Sequence, residues 1–196
     1  MDVTAAVTAG TPSNPRLRDD NDGRTTAGRV VVRPLAGLSI GGSVARGAFV
    51  SLAAARAALD DDRAGDFTQT LWGGDVEYSR DYYLVRMESV VSTWTIPISG
   101  ASIEVPLRAF TTSVEGRYKI RPGLYAAARV DHLGFSEIDG SAGLRTWEAP
   151  VTRLEVGGGY SIQRNLVLKL AYQHNVRDGG RVQRLNLSAA QVVYWF

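Results

Sequence analysis

The chain of 196 residues has no cysteine, only two histidines, and only two lysines among its 22 basic side chains. Without cysteine there is no disulfide scaffold and no thiolate metal site, while the compartment stays open. The sequence also lacks any stretch of the roughly 18 apolar residues that a membrane helix needs. An excess of one charge is missing too: 22 basic residues stand against 20 acidic ones, and the net charge of +2 is too small to argue for a nucleic-acid partner. The opening residues MDVTAAVTAG carry neither a basic region nor an apolar core, so they do not read as a signal peptide. Their alternation reads instead as a strand already under way, with Val3, Ala5, Val7 and Ala9 opposing Asp2, Thr4, Ala6 and Thr8. The route left across a bilayer is a closed β-barrel, whose strands look ordinary on any hydropathy average.

What is present is period-two alternation, in segments of about the length a tilted membrane strand needs. Ten strands are predicted, at 2–10, 26–34, 38–47, 69–78, 82–93, 108–119, 124–133, 151–161, 166–176 and 183–196. Helical character is confined to the alanine-rich LAAARAAL at 52–59. The connections sort by length. Four are tight and rich in turn formers, at 34–37, 79–81, 121–123 and 163–165, whereas 11–25, 48–68, 94–107, 134–150 and the shorter 177–182 are more polar. Short and long connections in alternation are the pattern of an up-and-down barrel, and a soluble sandwich has no reason to sort its loops this way. The fold class expected is all-β, an antiparallel up-and-down transmembrane β-barrel forming a single domain over 1–196.

The strand faces differ in chemistry. On 108–119, Phe110, Thr112, Val114, Gly116 and Tyr118 oppose Thr111, Ser113, Glu115, Arg117 and Lys119, and the other strands alternate alike. Lumen-lining positions are therefore expected at Arg29, Arg33, Asp75, Glu77, Arg86, Glu88, Glu115, Arg117, Lys119, Arg129, Asp131, Arg153, Glu155 and Lys169. Eight basic groups against six acidic ones suggest mild anion preference at most, and opposite charges on neighbouring strands can instead pair for rigidity. Tyr78, Tyr118, Tyr160 and Tyr194 end strands that run into short turns or the carboxyl terminus, as an aromatic girdle requires. Trp72 and Trp94 are expected in a second girdle at the opposite strand ends. Leu185 and Leu187 are out of phase with Val192, Tyr194 and Phe196, which predicts a bulge near 188–190.

Rival chemistries are thin. DDDRAG at 60–65 starts like a calcium loop, but Leu71 stands where a bidentate Glu belongs, so a solvated acidic loop is expected and no metal or other cofactor is assigned. The glycines at 41–42 and 157–159 are followed by no helix; they suit curvature or close aromatic packing rather than a phosphate cradle. Asp131 with His132, and His174 with Asp178, are the only acid–histidine candidates, and the expectation is that the chain is not an enzyme.

The chain ends VVYWF, with Tyr194 two residues before a terminal Phe196, resembling the carboxy-terminal signal that bacterial outer-membrane barrels present to their assembly machinery. With VTAGTPSNP at 7–15, DDNDG at 19–23 and GRVVVRPLAGLSIGG at 28–42, the sequence resembles the carboxy-terminal part of a bacterial porin of the phosphate-selective porin O and P-like family. The resemblance implies an outer-membrane location, a passive channel for small hydrophilic solutes or ions, and the lipid bilayer and assembly machinery as partners. It admits a homotrimer, and it implies an amino-terminal portion preceding these residues. Phosphate specificity does not carry over, because the basic residues behind it have no counterpart that can be placed here. A small non-conducting barrel for adhesion or anchoring is the second reading, an outer-membrane enzyme the third, and a soluble β-sandwich binding module the residual one.

Overall fold

A computed structural model describes residues 1–9, 23–59, 64–96, 105–140, 143–179 and 183–196. Ten strands form one sheet: β1 (Asp2–Ala9), β2 (Arg24–Leu35), β3 (Leu38–Ala48), β4 (Thr68–Arg80), β5 (Tyr83–Ile96), β6 (Val105–Arg121), β7 (Leu124–Phe135), β10 (Val151–Gln163), β11 (Leu166–Arg177) and β12 (Arg184–Tyr194). Each pairs antiparallel with its neighbours in chain order. A two-stranded hairpin, β8 (Glu137–Gly140) with β9 (Gly143–Thr146), rises from the connection between β7 and β10, and helix α1 (Leu52–Leu59) lies between β3 and β4. Among the described residues no pairing joins β1 to β12, so both edges of the sheet are open.

The sheet is a single layer. The accessible surface of the whole chain, 13569 Å², compares with about 9,100 Å² for an ordinary folded monomer of this mass. Among the described residues no large side chain is fully buried, and the few buried groups, such as Ala48, Phe67, Leu107 and Ala109, gather at the end bearing the long connections. A β-sandwich would hide one face of each sheet against the other. Here Val76, Val85, Val114, Val130, Leu154 and Val156 stay exposed on one face.

Four hairpins close with two residues each, at 36–37, 81–82, 122–123 and 164–165. Gly37 and Gly123 take φ of +84° and +80°, the left-handed region open to glycine, and Asp81 enters it at 53°. A register shift lies beside three of these turns, between Val32 and Leu35, Lys119 and Arg121, and Ser161 and Gln163. Such bulges add local twist, matching the turn to the right-handed twist of the strands. The bulge expected in the last strand is absent: β12 pairs with β11 in unbroken register from Leu166↔Tyr194 to Val176↔Arg184. The inference failed because it assigned every leucine to the apolar face. Leu185 and Leu187 sit opposite Asn175 and Gln173, on the polar side of the sheet.

The two turn glycines differ in surroundings. A Cβ on Gly37 would stand 2.1 Å from the Ser79 carbonyl oxygen, whereas one on Gly123 would meet Ser161 at 3.4 Å. Gly37→Ala is therefore expected to lower folding stability clearly more than Gly123→Ala, whose cost is about 1–2 kcal/mol of left-handed strain. Urea unfolding of both variants in micelles checks this; equal losses would contradict it.

Candidate functional site

Cross-strand register decides which charges meet. Glu77 on β4 stands opposite Arg86 on β5, which faces Glu115 on β6; Glu115 faces Arg129 on β7, and that faces Glu155 on β10, opposite Gln173 on β11. The result is a ladder of alternating sign across five strands, ended on the sixth by an amide. Arg86 Nη2 reaches Glu77 Oε2 at 2.5 Å and Arg129 Nη1 reaches Glu115 Oε2 at 3.9 Å. Arg129 Nε also donates to Asp131 Oδ1 at 2.7 Å, and Gln173 Nε2 donates to Glu155 Oε2 at 2.6 Å.

The adjacent row is less balanced. Asp75 stands opposite Glu88, two like charges side by side. Asp75 is compensated from two strands away, by Arg29 Nη2 at 2.7 Å. That bridge crosses Gly41, where a Cβ would lie 2.5 Å from Asp75 Oδ1 and 2.7 Å from Arg29 Nη2. Glycine in β3 thus opens the path for an ion pair between its two neighbours. Arg33 pairs with Asp2. Among the described residues Glu88, Arg117, Lys119, Arg153 and Lys169 form no ion pair, although Arg153 Nε donates to Asn175 Oδ1 at 3.0 Å. A recess of about 420 Å³ lies on this face, floored by Ala127, Gly157, Ala171 and Ala189 and rimmed by charged side chains.

The four tyrosines share the opposite face, and their heights follow a rule. The row of Tyr78 passes through Val85 to Gly116, and Tyr118 stands two residues farther toward the turn. The row of Tyr118 passes through Ala126 to Gly158, with Tyr160 two residues on. The row of Tyr160 passes through Leu168 to Val192, with Tyr194 two residues on. The step is constant at one residue per strand. With about 3.3 Å of rise per residue and about 4.8 Å between strands, a line through the tyrosines is level when the strands tilt by about 35°. Membrane barrels tilt their strands by about 35–45°. Trp72 lies on this apolar face, opposite Val91, but Trp94 does not: it stands opposite Gln69 and Leu107, on the charged side, and the expected second girdle loses that member. Trp94 is three positions from Val91 and nine from Val85, both odd steps, so parity alone puts it on the charged face.

The acid–histidine pairs are not brought together. Asp131 engages Arg129, while the His132 ring bonds Thr152 Oγ1 at 3.0 Å from the other face, and His174 bonds Asn186 Oδ1 at 2.6 Å. The acidic run at 60–62 lies outside the described residues. Beyond the strands, Glu148 accepts from the Ala149 N–H and from Arg177, which together hold its carboxyl below the usual range.

A double-mutant cycle on Glu77 and Arg86 measures the ladder directly. Both side chains are part-exposed, so a coupling of about 0.2–1 kcal/mol is expected in urea unfolding of the micelle-bound protein. A coupling of zero would show that the ladder is electrostatically idle.

No protein-family model and no curated protein matches the chain. Solved structures do. The outer-membrane expressed OmpT of Vibrio cholerae is similar over 98% of this chain and 61% of its own, with a TM-score of 0.66 at 12% identity. The in-vitro folded OmpT, an outer membrane protein of the same organism, is similar over the same shares, with a TM-score of 0.65 at 11% identity. A loop L8 deletion mutant of that OmpT gives a TM-score of 0.63 over 98% of this chain and 59% of its own. The chain thus spans about three-fifths of the length of the structures it matches. Similarity at this identity carries the fold alone: an all-β, antiparallel sheet of the kind that outer-membrane β-barrels are built from. The narrower resemblance to phosphate-selective porins gains no support from these neighbours. The expectation that the chain is not an enzyme is corrected by the same finding, since likeness to the OmpT outer-membrane proteins reaches only the fold, and that fold leaves catalysis open.

Proposed function

We propose that the chain builds wall of an outer-membrane porin, a passive diffusion channel for small hydrophilic solutes or ions. The observation that carries this reading is the division of one single-layered sheet into two faces. One holds the ladder from Glu77 to Gln173, and the other exposes valines, leucines and the stepped tyrosines. A lumen wall needs polar, hydrated side chains on one face and lipid-compatible ones on the other. In this reading the fourteen charged positions named from the sequence line the lumen. Tyr78, Tyr118, Tyr160 and Tyr194 sit at the headgroup boundary nearest the short turns, and Tyr194 with Phe196 engages the assembly machinery.

The two open edges belong to the same proposal. Unpaired N–H and C=O groups at a lipid-facing edge cost several kcal/mol each. Further strands, outside these 196 residues, close the wall between β12 and β1.

Planar-bilayer recording of the chain in its full gene context tests the channel. Stepwise current increments that rise linearly with voltage, with a conductance that rises with salt, are expected. A folded, protease-resistant barrel that passes no current would overturn the channel and favour an anchoring or adhesive barrel.

A further inference from the structure

We infer that the apolar face carries, at the end bearing the long connections, a docking row for a phosphorylated, multiply acylated lipid of the outer leaflet. The inference rests on the reading of this face as the one that meets lipid. Among the described residues every carboxylate of the ten-stranded sheet, from Asp2 to Glu155, lies on the other face. The arginines do not sort as cleanly. Arg46 stands opposite Thr26 and Thr70, Thr70 opposite Thr93, and Thr93 opposite Arg108. Two residues nearer the short turns, the same strands carry Val44, Trp72, Val91 and Phe110 in one row, all of them exposed. Parity therefore puts these arginines and threonines on the apolar face, next to an aromatic and aliphatic band.

The charge of this row has no answer within the sheet. Arg24, Arg46 and Arg108 are exposed and form no ion pair among the described residues. Arg24, two residues along β2 from Thr26, is a diagonal neighbour of Arg46, which sets two like charges on backbone positions about 7–8 Å apart. Guanidinium groups flanked by hydroxyls are a donor set for phosphate oxygens, which arginine takes two at a time. Depth agrees with a headgroup. Arg108 stands ten residues from Tyr118 on β6, and Arg184 ten from Tyr194 on β12. At about 3.3 Å per residue and about 35° of tilt, that is about 27 Å along the membrane normal, against an apolar band about 25 Å tall. The row slants with the strands and leaves the Arg46 backbone about 6 Å short of the far boundary, a gap that an extended arginine spans by snorkelling. Arg46 and Arg108 are three strands apart, about 14 Å, which suits a broad headgroup with two separated phosphates. Acyl chains below it would lie on Trp72, Val91 and Phe110, a band that free phosphate would leave unused.

The test is a titration of the protein in its full gene context, held in neutral-detergent micelles, with a hexa-acylated glucosamine disaccharide carrying two phosphates. Native mass spectrometry reads the bound fraction. Arg46→Gln combined with Arg108→Gln is expected to weaken binding about tenfold, as loss of charge-assisted contacts would. Arg80→Gln, on the same face at the short-turn end, is expected to leave binding unchanged. The dephosphorylated lipid is expected to bind about tenfold more weakly and to ignore the arginine changes. Equal affinity for the two lipids, unchanged affinity in the double variant, or the same loss in Arg80→Gln would overturn the row. So would complete displacement by inorganic phosphate, which assigns the row to a free anion, or lipid-free dimers lost in the double variant, which assign it to a second copy. Should the double variant fail to fold, Arg108→Gln alone decides, with about a threefold loss expected. The reading beneath the proposal fails separately. A spin label at Val91→Cys in vesicles that meets a water-soluble nickel chelate more than oxygen removes the lipid-facing side, whereas a label favouring oxygen without phosphate-dependent binding removes the docking row alone.

Discussion

The constraint on which this molecule depends is cross-strand hydrogen bonding in fixed register without a second layer to pack against. A soluble β-protein anchors each strand by burying one face, and side-chain packing then corrects small errors of pairing. Here the backbone ladder and side-chain pairs along each row must hold the sheet. The sequence answers with two-residue turns, bulges placed beside three of them, and alternation that would invert both faces if any strand slipped by one residue.

From that register the two chemistries follow. Rows on one face set Glu77, Arg86, Glu115, Arg129 and Glu155 side by side in alternating sign; rows on the other carry the tyrosines at one residue per strand. The regular step of the tyrosines and the tilt of a membrane barrel are the same geometric statement, made once in side chains and once in strands. Glycine serves both faces differently. Gly41 clears a path for the Arg29–Asp75 bridge, while Gly159 seats the Tyr125 ring beneath Arg117.

Much of this was legible in the sequence because period-two alternation survives without knowledge of neighbours. All ten strands and the helix at Leu52–Leu59 lie where the pattern and turn residues put them. The β8–β9 hairpin escaped notice, since four-residue strands are too short to show a period. Trp94, Leu185 and Leu187 take the face that strand parity dictates, against their chemical type. Partners were illegible for a different reason. That Arg29 reaches past a neighbouring strand, or that Lys119 and Lys169 share a row, depends on register accumulated over several hairpins.

The central claim is that the two faces of one sheet meet two different solvents. Because the chain has no native cysteine, single substitutions from Phe110→Cys to Lys119→Cys can each carry one spin label in lipid vesicles. Collision with oxygen, which partitions into lipid, and with a water-soluble nickel chelate then reports the surroundings of each position. The account predicts strict alternation, with labels at 110, 112, 114, 116 and 118 favouring oxygen and those at 111, 113, 115, 117 and 119 favouring the chelate. Labels on both faces equally open to the chelate would contradict it.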